Sequence, residues 1–140
     1  MIVPIKVHYA TLALYALADR SPKDDPLSLR SISELYDIPL PFLTQIVQQL
    51  RAAGLVISTR GPAGGFRLAK SASGIRLVDV AEAVGFQPDL QGERLGSSPA
   101  QQLLAGQWLQ IERDVFRSLE ETTLHDLLLQ RAPVATMFYI

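Results

Sequence analysis

Arg60-Gly61-Pro62-Ala63-Gly64-Gly65-Phe66-Arg67 is a loop of glycine and proline with an arginine at either end. It joins two short stretches, 55–59 and 66–69, that read as strands. Glycine supplies positive φ at little steric cost and Pro62 presets its own φ, so the segment closes a tight hairpin. A tip without bulky side chains, flanked by guanidinium groups, suits a phosphate backbone or a narrow minor groove. It also suits an ordinary surface hairpin. The segments before it separate the two readings.

Upstream, a helix begins near Leu40, with Pro41 tolerated in its first turn. Phe42, Leu43, Ile46, Val47 and Leu50 form one apolar face, and Gly54 ends the helix as a left-handed cap. The opposite face is Thr44, Gln45, Gln48, Gln49 and Arg51, with no acidic side chain. A merely solvated face usually mixes Glu with Lys, and carboxylates here would repel phosphates. Ser28 caps a shorter helix over 29–36, with Ile32 and Leu35 turned inward. Asp37-Ile38-Pro39 stops that helix, because a residue before proline is biased out of the helical region. Two short helices with a tight turn, followed by a hairpin, describe a winged helix-turn-helix in a mainly α fold.

Residues 7–19 form a helix apolar on nearly every face, which should pack on two sides. Residues 21–26 are a polar break with two prolines; 77–84 is a further short helix ended by Gly85, and 87–99 is loop by composition. A long helix follows over 100–121, apolar at Leu104, Trp108, Ile111, Val115 and Leu119. Periodicity leaves that face as either internal core or dimer seam. A winged helix has a core of its own, and a symmetric two-fold pair is the commonest partner for the remainder. Thr123 caps a last helix over 124–130, with Asp126 in an imperfect capping box. The chain thus divides into a winged-helix unit (1–85), a loop (86–99), a long helix with a short capping helix (100–131) and an apolar tail (132–140) that docks or stays free.

The 140 residues suffice for one domain with a proper core, and nearly half are hydrophobic, so the chain is globular. No apolar run approaches the roughly 20 residues of a membrane span, and no basic leader precedes a cleavage site, so a cytoplasmic location is expected. The absence of cysteine excludes disulfides, thiolate-held zinc or iron–sulfur clusters, and thiol chemistry. Net charge is −1, weakly against a nucleic-acid partner, but its distribution argues back. Residues 1–80 carry nine basic and six acidic groups, whereas 81–140 carry four and eight. The basic excess sits with the hairpin.

Thr44, Gln45 and Gln48, near the start of the second motif helix, are placed to read base edges; glutamine can bond adenine at two points. Arg60 fits a narrow minor groove, with Gly61, Gly64 and Gly65 shaping the wing. Lys6, Arg30 and Arg67 are candidates for the DNA backbone, as are Arg51 and Gln49 further along the helix. His8 and His125 are isolated in sequence, and the glycines lead into a strand rather than a helix. No enzyme, cofactor or metal site is indicated.

Lys6-x-His8-Tyr9-Ala10, Ile32-Ser33-Glu34, Pro41-Phe42-Leu43-x-Gln45, Leu50-Arg51-x-x-Gly54-Leu55-Val56 and Arg60-Gly61-Pro62-x-Gly64-Gly65-Phe66-x-Leu68 resemble, in that order, the Rrf-two family of bacterial transcription regulators. Trp108 and Thr123-Leu124-x-Asp126-Leu127 extend the resemblance over nearly the whole chain. It implies a homodimer paired through the long helix, each subunit presenting one winged helix to a pseudo-palindromic operator. It also adds Pro41 to Thr44 as a base-contact position. Many members hold an iron–sulfur cluster on three cysteines in the loop before the long helix. Here 87–105 has none, the position where some place a ligand histidine is Ala105, and His8 stands where others carry an acidic ligand. The expected function is therefore a cluster-free regulator of transcription, a repressor by operator occupancy. A small molecule, a partner protein or the chain's own abundance would be its signal. A winged helix used only for protein contacts is the alternative.

Overall fold

The computed structural model describes residues 1–62, 64–89 and 95–131. Its elements are α1 (Ile5–Ala18), α2 (Leu29–Tyr36), α3 (Leu40–Ala52), β1 (Val56–Thr59), β2 (Gly65–Leu68), α4 (Leu77–Ala83), α5 (Pro99–Glu121) and α6 (Leu124–Gln130). Helix α1 is the hub. Val7, Ala10, Ala13, Leu14, Ala16 and Leu17 are buried, and α2, α3, α4, α6 and β2 all lie against it. A helix without a polar face is stable in water only when neighbours cover it in this way.

Helices α2 and α3 build the motif. The Ser28 hydroxyl accepts the Ser31 N–H at 3.1 Å and starts α2. Its end differs from the expected proline effect: Asp37 itself takes the left-handed conformation at φ 53°, and the Ile38 N–H closes on the Ser33 carbonyl at 3.0 Å. Ile32 is buried, but Leu35, expected inward, is 62 % exposed. Helix α3 buries Leu43, Ile46, Val47 and Leu50, and Phe42 packs edge-on to Tyr9 with ring centroids 5.6 Å apart. Gly54, at φ +77°, lets the Leu55 N–H reach back to the Leu50 carbonyl at 3.0 Å, which turns the chain into the wing.

The wing is antiparallel, with Val56 opposite Leu68 and Thr59 opposite Gly65. Leu27 adds a one-residue third strand, exchanging hydrogen bonds of 3.2 and 2.7 Å with Phe66. A short 3₁₀ turn at Ala72–Gly74, absent from the sequence reading, leads on to α4.

Beyond the wing, Phe86 stacks on Phe116 of α5 at 5.0 Å, and α4 also packs on α5. Helix α6 returns to the first unit. The Leu77 N–H bonds to the Thr122 carbonyl at 2.8 Å and the Leu124 N–H to that of Ile75 at 3.0 Å. Leu124 is fully buried in one cluster with Leu14, Leu50 and Val80, and Arg131 ion-pairs with Asp19. The core of the winged helix is thus completed by residues far along the chain. The tail 132–140, expected to dock or stay free, lies outside the described residues. No helix among the described residues is long and apolar enough to cross a membrane.

Candidate nucleic-acid interface

None of the 13 residues of α3 is acidic, so the polar groups of its outer face are a hydroxyl, amides and one guanidinium. Gln45, Gln48 and Arg51 are exposed there, with Pro41 exposed in the first turn. Thr44 is half-buried, and its hydroxyl donates to the Leu40 carbonyl at 2.8 Å. That bond commits the hydroxyl proton and leaves the oxygen to act as an acceptor. Gln49 differs from its expected place among phosphate contacts: its Oε1 is buried without a partner among the described residues. The proline-led N-terminus of α3 adds the positive end of a helix dipole.

The wing comes directly after α3. Gly61 sits at φ +108°, a conformation other residues rarely adopt, and its carbonyl accepts the Gly64 N–H at 2.9 Å. Gly64 and Gly65 are small for another reason. A Cβ on Gly64 would strike the Thr59 and Gly61 carbonyls, and one on Gly65 the Leu27 carbonyl. These glycines shape the wing by close backbone approach.

Arg60 is exposed, as are Arg30 in the first turn of α2 and Arg51 near the end of α3; Lys6 is half-buried in the first turn of α1. Among the described residues the ion pairs are Arg76–Asp79, Arg117–Asp114 and Arg131–Asp19, so none of those four cations is neutralised by a carboxylate. Arg67 is placed otherwise. Its guanidinium donates to the Pro22 carbonyl at 3.5 Å and to the Asp24 carbonyl, riveting β2 to the loop between α1 and α2. Sequence reasoning missed this clip. The polar loop of two prolines opposite a strand arginine held its one hint, without the distance between them.

On α5 the predicted seam splits. Leu104, Trp108 and Ile111 stay about half exposed, and Leu103, outside the predicted face, is 75 % exposed. Val115 is half-buried and Leu119 packs onto the internal core, while Phe116, not predicted, is buried. The lower half of α5 thus packs on the internal core, while Leu103, Leu104, Trp108 and Ile111 of the upper half stay largely exposed among the described residues.

A tri-helical core, a helix-turn-helix with a carboxylate-free outer face and an arginine-tipped hairpin define a winged-helix DNA-binding protein. Comparison with known proteins narrows the class. A family model described as "Rrf2: Iron-dependent Transcriptional regulator" matches residues 4–130, and the chain belongs to that family. It is 37 % identical over 131 residues to the HTH-type transcriptional regulator IscR of Cereibacter sphaeroides, covering 88 % of this chain and 84 % of that one. Among solved structures it resembles CymR (YrzC), the global cysteine regulator of B. subtilis. The TM-score there is 0.79 at 29 % identity, over 94 % of this chain and 99 % of the other. The IscR of T. potens superposes with a TM-score of 0.76 at 28 % identity, over 99 % and 97 %. The chain is a DNA-binding regulator of transcription and not an enzyme.

The iron in the family description does not fit this chain's donors. There is no cysteine in the sequence, and no group of three or more His, Cys, Asp or Glu side chains comes together among the described residues. Among the described residues the Asp89 N–H donates to Glu112 Oε1 at 2.9 Å, and Ser98 and Gln101 close a capping box at the start of α5.

Proposed function

We propose that the protein acts as a homodimer that occupies a pseudo-palindromic operator and represses transcription from the cytoplasm. Supporting this reading above all is the pairing of α3's carboxylate-free outer face with the exposed Arg60 of the wing, which has no carboxylate partner among the described residues. In each subunit α3 enters a major groove. Gln45 and Gln48 reach base edges there, with Thr44 accepting from a base or phosphate and Pro41 packing in the first turn. Arg60 enters the adjoining minor groove, while Lys6, Arg30 and Arg51 meet phosphates. Arg67, Gly64 and Gly65 hold the wing's shape. The exposed stripe Leu103, Leu104, Trp108 and Ile111 pairs with its copy across a two-fold axis, spacing the two α3 helices about one turn of DNA apart. Without cluster ligands, the operator response depends on a small molecule, a protein partner or the regulator's own abundance.

Fluorescence anisotropy on a labelled duplex, paired with sedimentation, tests the division of labour. Arg60→Glu is expected to cut DNA affinity by about tenfold or more while the chain stays dimeric. Loss of DNA binding with no change of state supports the wing assignment. Unchanged affinity contradicts it and favours a winged helix used for protein contacts.

A further inference from the structure

Behind the wing, between β2, the end of α1 and the loop after it, lies a cleft of about 360 Å³. Its floor is apolar, built of Leu17, Phe66, Leu68 and Ala72, and two arginines, Arg20 and Arg67, stand in its wall. Arg20 donates from Nη2 to the Asp25 carbonyl at 2.6 Å, but its Nε is buried with no hydrogen-bond partner among the described residues. A buried N–H without an acceptor is costly, and a bound acceptor would offset that cost. Arg67 donates to the Pro22 and Asp24 carbonyls. The acceptors given to both forks are neutral backbone oxygens, and neither arginine is ion-paired among the described residues. A guanidinium binds a carboxylate more strongly and at two points. Asp25 is the carboxylate among the described lining residues, so two positive groups face one negative, a balance suited to a monoanion.

We propose that this cleft binds a small organic carboxylate, its apolar body on the Leu17–Phe66–Leu68–Ala72 floor and its head between Arg20 and Arg67. The head draws the Arg20 fork off the Asp25 carbonyl, freeing its buried Nε to donate, and displaces the Pro22 and Asp24 carbonyls from Arg67. Those carbonyls tie the hairpin to the rest of the molecule, so an occupied cleft loosens the wing and weakens DNA binding. This second half rests on the DNA-binding role proposed for the wing; the site itself does not.

Isothermal titration calorimetry on the full chain without DNA, using 4-phenylbutyrate as probe, reads the site directly. The neutral 4-phenylbutanol and inorganic phosphate separate body from head. The expected result is saturable binding of 4-phenylbutyrate, with each single-feature probe weaker by about tenfold or more. Arg20→Gln removes the charge and Ala72→Leu fills the floor, and each is expected to weaken 4-phenylbutyrate by about tenfold at an unchanged circular dichroism spectrum. Absence of saturable 4-phenylbutyrate binding overturns the proposal, as does binding that neither substitution alters. With the cleft saturated, affinity for a duplex that the protein binds should fall by about threefold or more. Unchanged affinity alongside intact calorimetric binding overturns the link to the wing. Absence of DNA binding even without the probe refutes the DNA reading instead, which keeps the two failures apart.

Discussion

Arg60 and Arg67 share one hairpin and one chemistry, and the backbone sorts them. Arg60 lies beyond the last strand pair with no carboxylate partner among the described residues, whereas Arg67 is folded back on the carbonyls of Pro22 and Asp24. Arg60→Ala is expected to weaken DNA binding and to lower the slope of log affinity against log salt by about one. Gln45→Ala should instead relax preference at a single base pair, worth about 1–3 kcal/mol there, and leave other positions unchanged. Binding selections with the two variants check both, and uniform weakening on every sequence by Gln45→Ala would refute base readout. Gly65→Ala addresses shape: the added Cβ meets the Leu27 carbonyl, so a loss of about 1–3 kcal/mol of stability is expected in urea titration. At this scale the sequence was legible where a residue acts through its own backbone, as at Gly54 and Gly61. It was silent where action depends on a distant partner, as for Arg67 and the buried amide oxygen of Gln49.

Helix α6 shows how much an element owes to its ends. Seven residues are too few to be stable alone, so burial of Leu124 and the reciprocal capping of Thr123 and Asp126 sustain it. The Asp126 N–H bonds to the Thr123 hydroxyl at 3.1 Å, and Thr123→Ala should cost about 1 kcal/mol in a thermal melt. Helix α4 has half of that device: the Asp79 carboxylate accepts the Arg76 backbone N–H at 2.9 Å and the Arg76 guanidinium at 3.0 Å, but an arginine side chain has no acceptor to return. Burial raises the Asp79 pKa, but hydrogen bonds from the Arg76 side chain and backbone outweigh it and hold the carboxyl below its ordinary value. A carboxylate held low stabilises the fold above its unfolded pKa and loses that contribution as pH falls through the folded one. The melting temperature should therefore drop as pH falls below about 4, and Asp79→Asn should flatten that drop while lowering stability at neutral pH. Element boundaries were readable because their signals are local: Ser28 and Thr123 as caps, and apolar spacing in α3. That α6 completes the winged-helix core was not readable. It depends on residues 75–77 meeting 122–124, a pairing without local signature.

Across the whole molecule, positive charge gathers with the wing and the helix-turn-helix, and negative charge with residues 81–98 and the long helix. Such a separation turns the basic face toward DNA while the acidic half keeps clear of it. The open upper face of α5 then asks for a partner. Trp108→Glu should leave the subunit folded, since the side chain is 54 % exposed, yet shift the protein toward monomer in sedimentation. Operator affinity falls with it, because one half-site contributes only part of the binding free energy. Periodicity alone made the five-residue seam of α5 visible but could not divide it. Leu119 packs on the internal core, whereas Leu103, 75 % exposed among the described residues, joins the exposed stripe.

Selection of bound sequences from a random duplex pool, with purified protein at fixed moderate salt, addresses the regulator most directly. An inverted repeat should be enriched, its half-sites about one helical turn (roughly 10 base pairs) apart. A pool without enrichment, bound only weakly and released as salt rises, would contradict a dimeric, sequence-reading regulator.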